Sequence, residues 1–139
     1  MDKEDKELLL QDLCARLPYG VICQTDEHGK IHKLKGINKH KGIWWYEFDG
    51  FRNIKPPKPY LRPMNSMTNE EFVYFMGIRG QNLTDYEIQH LKEDTFKSLS
   101  TVTIVNTLQQ YRLKLNWLVK NNFDYNGLIE RGLAIDMTK

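Results

Sequence analysis

Residues 43–48, with the sequence Ile-Trp-Trp-Tyr-Glu-Phe, have the strongest β-strand pattern in the chain. Aromatic and β-branched residues favour strands. Gly42 and Gly50 border the segment, and glycine favours the tight turns that join antiparallel neighbours. The chain is therefore expected to build a small antiparallel sheet around this segment.

Side chains alternate along a strand, which divides this segment between two faces. Trp44, Tyr46 and Phe48 are predicted to share one face, most simply as the core of a small barrel. Trp45 and Glu47 are predicted on the other face. An outward indole beside cations is able to stack on a base, a ring or a partner's side chain. Cover by a helix or a second subunit is the alternative for Trp45.

The strand pattern continues on both sides of this segment. Further strands are predicted over residues 20–25, 30–40 and 51–54. Ile31, Leu34 and Ile37 are spaced by three rather than two, and a β-bulge near residues 35–36 reconciles that spacing with a strand. Short strands joined by glycine turns predict a strongly twisted sheet or open barrel of the Src-homology kind, with three to five strands.

Helix signals frame the strands. Helices are predicted over residues 3–16, 69–76, 85–96, 101–121 and 125–131. Pro18 ends the first, and Thr68 and Thr84 each begin a Thr-x-x-Glu capping box. Residues 101–105 are β-branched at their start, so a strand is the alternative there. The proline cluster at residues 55–59 predicts an extended connector, either a plain spacer or a motif for a partner domain.

The chain has 139 residues, 40% of them hydrophobic and 27% charged, which is typical of one globular domain. We expect an α+β fold in a single domain over residues 1–139: an N-terminal helix (1–17), a β block (20–62) and a mainly helical part (68–139). No apolar run approaches the length of about 20 residues that spans a bilayer. The acidic start is unlike a secretory signal, so a cytoplasmic protein without membrane contact is expected.

Positive charge is concentrated in the β block. Residues 26–58 hold eight Lys or Arg and four Asp or Glu, a net charge of +4, against +2 for the whole chain. Such a local excess attracts an anion, whether nucleic acid, nucleotide or an acidic protein surface. Lysines that keep exposed strand edges from pairing are the alternative.

No catalytic signature accompanies these features, because the sequence has neither a nucleophile elbow nor a phosphate-binding loop. His90, at helical spacing from Glu87 and Asp94, is a candidate base or metal ligand, or else a surface histidine paired with acids. Cys14 and Cys23 are predicted as two buried, unpaired thiols. We expect a protein that is not an enzyme and holds no cofactor or metal.

Three blocks of sequence carry a resemblance. They are Asp-Leu-Cys-Ala-Arg-Leu-Pro-Tyr-Gly-Val at residues 12–21, Lys-Pro-Tyr-Leu-Arg-Pro-Met-Asn-Ser-Met-Thr at residues 58–68, and Asn-Trp-Leu at 116–118 with the segment 123–134. The chain thereby resembles a family of uncharacterised proteins encoded by Bacteroides phages, prophages and related gut mobile elements. The resemblance implies a phage accessory protein, a class that includes regulators, nucleic-acid binders and proteins that blunt host immunity. It implies no catalytic residues.

Two binding functions follow as hypotheses. In the first, a phage counter-defence protein captures a small anionic ligand, such as a nucleotide immune signal, by ring stacking and phosphate pairing. The residues predicted for this site are Trp45, Tyr46, Lys33, Lys35, Arg52 and Arg62. In the second, the same sheet face binds nucleic acid or docks a host protein. A concave, ringed site at Trp45 favours the first hypothesis, and a flat exposed strip favours the second.

Arg62 has an alternative partner, since Glu70 or Glu71 on the following helix is close in sequence. The short strands leave edges to cover, so a homo-oligomer is also expected.

Overall fold

The computed structural model describes residues 1–26, 28–77, 83–98 and 111–139. Its helices are α1 (Lys3–Arg16), α2 (Asn69–Met76), α3 (Asp85–Ser98) and α4 (Tyr111–Lys120), with 3-10 turns at Leu17–Tyr19 and Met64–Ser66. Its strands are β1 (Ile22–Gln24), β2 (Ile31–Lys33), β3 (Gly36–His40), β4 (Ile43–Phe48), β5 (Phe51–Asn53), β6 (Lys58–Leu61) and β7 (Ile135–Asp136). The predicted α+β fold class is confirmed.

Helices begin and end where the capping signals predict. At α2 the Thr68 hydroxyl accepts the Glu71 amide at 3.1 Å, and the Glu71 carboxylate accepts the Thr68 amide at 2.8 Å. Thr84 and Glu87 make the same reciprocal pair at 3.2 Å before α3. These contacts satisfy amides that a helix start otherwise leaves unpaired. The helix predicted over residues 101–121 is confirmed over α4, and its first ten residues, with the alternative strand, lie outside the described residues.

The strands form two small sheets, in the orders β2-β1-β6-β7 and β3-β4-β5, which do not close into a barrel in the described part of the chain. Neighbouring strands are antiparallel except for the parallel pair β6 and β7. Pro59 lies inside β6 and is buried. The last two residues of the connector predicted over 55–59 therefore belong to the sheet.

The strand predicted over residues 30–40 is divided between the two sheets. Leu34, between β2 and β3, is 1% exposed and donates its amide to the Val21 carbonyl at 2.9 Å. The Lys35 amide donates to the backbone carbonyl of Glu47 in the other sheet, at 2.8 Å. Instead of the predicted bulge, the chain crosses from one sheet to the other through a buried leucine. That crossing accounts for the three-residue spacing of the apolar side chains.

Two apolar clusters form the core. The first joins α1 to both sheets and the C-terminal segment, and includes Leu13, Cys23 and Tyr46. The second joins α2 and α4 around residues such as Phe72 and Phe123. Trp117 is half-buried at the edge of this second cluster.

The two cysteines differ in their surroundings. Cys23 is buried as predicted, and this burial raises the pKa of its thiol to about 12. The predicted burial of Cys14 is wrong, because this residue lies on the exposed side of α1. No helix in the described ranges has both the length and the apolarity to cross a membrane.

A buried ion pair ties α1 to the C-terminal segment. Arg16 donates to the Asp12 carboxylate at 2.7 Å and to the Phe123 carbonyl at 2.6 Å, and both charged side chains are at most 1% exposed. Asn126 donates to the same Asp12 at 2.9 Å. The buried Asp124 carboxylate accepts the amides of residues 128 and 129, and burial raises the pKa of Asp124.

These polar contacts decide the backbone of the C-terminal segment. The helix predicted over residues 125–131 is wrong, since the segment forms a series of turns. A helix pairs its own amides and carbonyls, whereas in this segment the Asp124 carboxylate takes two of the amides, and Arg16 takes the Phe123 carbonyl just before the segment begins.

Candidate functional site

β3 and β4 form a hairpin whose far end extends beyond the core. Along β4 the side chains change from exposed at Ile43 to buried at Phe48. Residues 38–45 are defined here as the hairpin tip. Trp44, predicted to be a core residue, shares the face of Tyr46 but remains 39% exposed, because the core ends before it. The predicted face of Trp44 is correct, but its predicted burial in the core is wrong.

The turn of this hairpin is strained. Lys41 has φ 51° and Gly42 has φ 80°, and two consecutive positive values describe a type I′ turn. Asn-Gly suits such a turn, whereas a lysine there costs about 1 kcal/mol or more. The chain therefore holds a cation at the end of the hairpin at some cost in stability.

One face of the hairpin tip pairs a lysine with an indole. Lys39 and Trp44 are directly opposite each other in the register of β3 and β4. The Lys39 Nζ lies 5.5 Å from the centre of the Trp44 ring, within the range of a cation–π contact. Ammonium and ring are both accessible, because Lys39 is exposed as well.

The other face pairs an arginine with the second indole. Arg52 of β5 is opposite Glu47, and Trp45 is its diagonal neighbour on the same face. The Arg52 guanidinium carbon lies 4.3 Å from the centre of the Trp45 ring. Trp45 is half-buried, and its Nε1 is buried without a hydrogen-bond acceptor among the described residues. The guanidinium thus occupies one side of the ring that was predicted to stack on a ligand.

Arg52 itself is exposed, and in the described ranges no carboxylate lies within 4.0 Å of it. Its hydrogen-bond donors are therefore open to an external anion.

The remaining predicted site residues are not gathered at the hairpin tip. Tyr46 is 3% exposed and belongs to the core, so its ring is not accessible for stacking, and burial raises its pKa. Lys33 is exposed on β2 in the other sheet, where its side chain lies against Gly20. Lys35 is exposed at the crossing between the sheets.

Arg62 makes the alternative contact predicted for it. Its guanidinium donates to both carboxylate oxygens of Glu71, at 2.9 and 2.7 Å, and these hydrogen bonds hold the Glu71 pKa below its usual value. The same guanidinium lies 4.2 Å from the centre of the Phe123 ring. Arg62 therefore joins β6, α2 and the C-terminal segment.

His90, the candidate base or metal ligand, fits the alternative of a surface histidine paired with an acid. Its Nε2 lies 3.6 Å from Asp94, and both side chains are about two-thirds exposed, at 67% and 65%. Among the described residues no group of three His, Cys, Asp or Glu side chains has the geometry of a metal site.

The hairpin tip combines these features into a strip with two accessible faces. Residues 36–46 include two lysines and a histidine but no acid. One face offers Lys39 beside Trp44, and the other offers Trp45 beside Arg52 of β5, whose strand partner is Glu47. Sequence reasoning did not select Lys39, Lys41 or Trp44 for the site. The signal was available, because a two-residue turn at Lys41 and Gly42 fixes the register that places Lys39 opposite Trp44.

The three blocks from which a phage-encoded family was predicted lie outside the hairpin tip. Asp12 and Arg16 of the first, Arg62 of the second, and Phe123 and nearby residues of the third meet around the buried polar contacts. The blocks therefore account for architecture, and the phage origin stays a prediction. Comparisons of the chain with family models, curated proteins and solved structures find no match.

Proposed function

We propose that this chain is a non-catalytic binding protein whose hairpin tip binds single-stranded nucleic acid. The observation that carries the proposal is the exposed Trp44 with Lys39 beside it, at the end of a hairpin whose residues 36–46 include no acid. Arg52 of β5 adds a second cation–aromatic pair with Trp45 on the other face, where its strand partner is Glu47. Single strands present bases that stack on aromatic rings and phosphates that attract cations, at regular intervals. An exposed ring beside cations fits such a polymer.

Trp44 is the stacking platform in this proposal. Its ring is 39% exposed, and its cation is a lysine at 5.5 Å, which a base is able to displace or share. Trp45 has less free surface, since Arg52 covers it at 4.3 Å. A guanidinium held flat on an indole keeps its edge donors for phosphate, so Arg52 serves as an anion contact.

The strained Lys41 supports the same function. Backbone strain in natural proteins is concentrated at functional sites. A lysine at φ 51°, where asparagine or glycine is easier to accommodate, extends the positive charge to the end of the hairpin. Together with Lys39 it supplies two cations at the hairpin tip, and Arg52 adds a third on the opposite face of the sheet.

The small-ligand hypothesis requires a different geometry. A pocket that sequesters a nucleotide encloses most of its surface. The hairpin tip instead carries one exposed cation–aromatic pair, Lys39 and Trp44, and the pair of Trp45 with Arg52 of β5 lies on the opposite face of the sheet. Capture of an immune signal, and a phage counter-defence role, remain predictions from the sequence. The salt dependence of affinity distinguishes docking of a host protein, because protein contacts with an apolar centre depend weakly on salt.

Fluorescence anisotropy with a labelled oligothymidine of about 15 nucleotides tests the proposal. Affinity is expected to fall steeply between about 50 and 200 mM salt. Trp44→Leu is expected to weaken binding by about 1–3 kcal/mol, roughly 5- to 150-fold, since one stacked base is lost. Tyr86→Leu is the matched control, because Tyr86 is a 79% exposed ring on α3, and it is expected to bind like the wild type.

Charge variants test the phosphate contacts separately. Lys39→Gln and Arg52→Gln are each expected to reduce the slope of log affinity against log salt by about 0.7. Lys6→Gln, an exposed lysine on α1, is expected to leave the slope unchanged. The proposal is wrong if the wild type does not bind at about 50 mM salt, or if Trp44→Leu and Tyr86→Leu bind equally well.

A further inference from the structure

A second candidate site lies beside α3, separate from the hairpin tip. It is a pocket of about 370 Å³, within the size range of small-molecule sites. Its described lining residues are Asn65, Gln89, Lys92, Glu93, Phe96 and Lys97. Five of the six come from one helix, so their spacing is fixed by the helix itself.

Lys92 is the residue that makes this pocket unusual. The residue is 9% exposed, and its Nζ donates to the Met67 carbonyl at 2.8 Å. An ammonium group has three donors. Within the described ranges Lys92 has no other hydrogen bond, and no carboxylate lies within 4.0 Å. A buried cation without a counter-charge is costly, and a bound anion would remove that cost.

The other lining groups narrow the chemistry of that anion. Lys97 adds a second ammonium to the lining. Glu93 adds a carboxylate, which already accepts a hydrogen bond from the Gln89 amide at 2.8 Å. A bare anion has nothing to offer this carboxylate, whereas a molecule with a hydroxyl or amino group beside its phosphate does. Phe96 supplies an apolar wall, and the centre of its ring lies 5.7 Å from the centre of the Phe72 ring.

We propose that this pocket binds a small phosphorylated molecule, with its phosphate on Lys92 and Lys97 and a neighbouring donor group on Glu93. Burial of the ammonium, the pocket volume and the mixed lining all support a ligand of this class. The proposal goes beyond the function proposed for the hairpin tip and does not depend on it.

Backbone amide NMR of the full chain, titrated with inorganic phosphate and with adenosine 5′-monophosphate, tests the proposal. Saturable shifts are expected at residues 65–67 and 89–97, with tighter binding of the nucleotide because it adds a donor and an apolar ring. Lys92→Met is expected to weaken both ligands by about tenfold or more. Lys120→Met, an exposed lysine on α4, is the matched control and is expected to bind like the wild type.

Thermal unfolding separates a binding role from a structural one. Since Lys92 is buried without a counter-charge, Lys92→Met is expected to melt at the same or a higher temperature than the wild type, and to lose the stabilisation by the nucleotide. A lower melting temperature with the nucleotide effect retained would mean that Lys92 only caps the Met67 carbonyl, and the proposal would be wrong.

Two further results would overturn it. One is the absence of saturable shifts around the pocket with either ligand. The other is loss of these shifts in Trp44→Leu, which would assign the ligand to the hairpin tip. The expected result is that Trp44→Leu keeps the pocket shifts while losing oligothymidine binding, so that the two proposals fail or succeed separately.

Discussion

Replacement of Lys41 by Asn is expected to stabilise the protein and to weaken its binding to nucleic acid. Lys41 occupies the left-handed region at φ 51° in the turn of the hairpin. This conformation costs about 1–2 kcal/mol for an ordinary residue, and asparagine tolerates it better. We expect Lys41→Asn to raise the free energy of unfolding by about 0.5–1 kcal/mol, which corresponds to about 2–4 °C in melting temperature for a chain of this size.

The same variant removes one cation from the hairpin tip. The slope of log affinity for oligothymidine against log salt is expected to fall by about 0.7. Urea unfolding and anisotropy on the same samples measure both effects. Lys55→Asn is the control for stability, because Lys55 is an exposed lysine without a positive φ, so that the charge is removed and no strain is relieved.

Two results would refute this reasoning. A Lys41→Asn protein that is less stable than the wild type would mean that the turn does not have the strained geometry described. A stabilisation equal to that of Lys55→Asn would mean that reduced charge repulsion, and not relief of strain, is responsible.

Other variants test the buried contacts by urea unfolding. Arg16→Met leaves the buried Asp12 carboxylate without its cation and is expected to cost about 3–5 kcal/mol, whereas a loss below about 1 kcal/mol would contradict the buried pair. Because the Glu71 pKa is lowered, its contribution is present above the ordinary value of 4.5 and is lost as the pH falls through the lower folded-state value. Glu71→Gln is thus expected to cost about 1–2 kcal/mol at neutral pH and progressively less in acid; an equal loss at both pH values would disprove the linkage. Trp45→Phe removes a buried Nε1 that has no described acceptor, so it is expected to change the free energy of unfolding by less than about 1 kcal/mol. Trp45→Ala is expected to lower the free energy of unfolding by about 2 kcal/mol. Similar losses in both variants would contradict the absence of an acceptor for Nε1.

Local signals predicted most of the secondary structure. The capping boxes at Thr68 and Thr84 start α2 and α3, and Pro18 follows the end of α1. These signals act between residues a few positions apart, so they are readable from the sequence. The apolar spacing in residues 30–40 also marked an irregularity at the correct place. Its nature, a crossing between two sheets, depends on the partners of Leu34 and was not readable there.

Contacts that the hydrophobic pattern does not encode account for the failures. The segment 125–131 has a helical pattern, but Arg16, more than 100 residues earlier, takes the Phe123 carbonyl while Asp124 takes two amides. Alternation assigned Trp44 and Trp45 to the correct faces of β4. It was not able to show that the core ends before Trp44, or that Arg52 lies over Trp45, because these depend on where the other elements pack.

Photochemical cross-linking of the wild-type protein to a single-stranded oligonucleotide containing 4-thiothymidine tests binding at the hairpin tip most directly. Peptide mapping of the cross-linked protein identifies the residues in contact with the base. We expect the cross-link within residues 38–45, with Trp44 as its main site. A cross-link confined to any other part of the chain, or none at low salt, would contradict the proposed function.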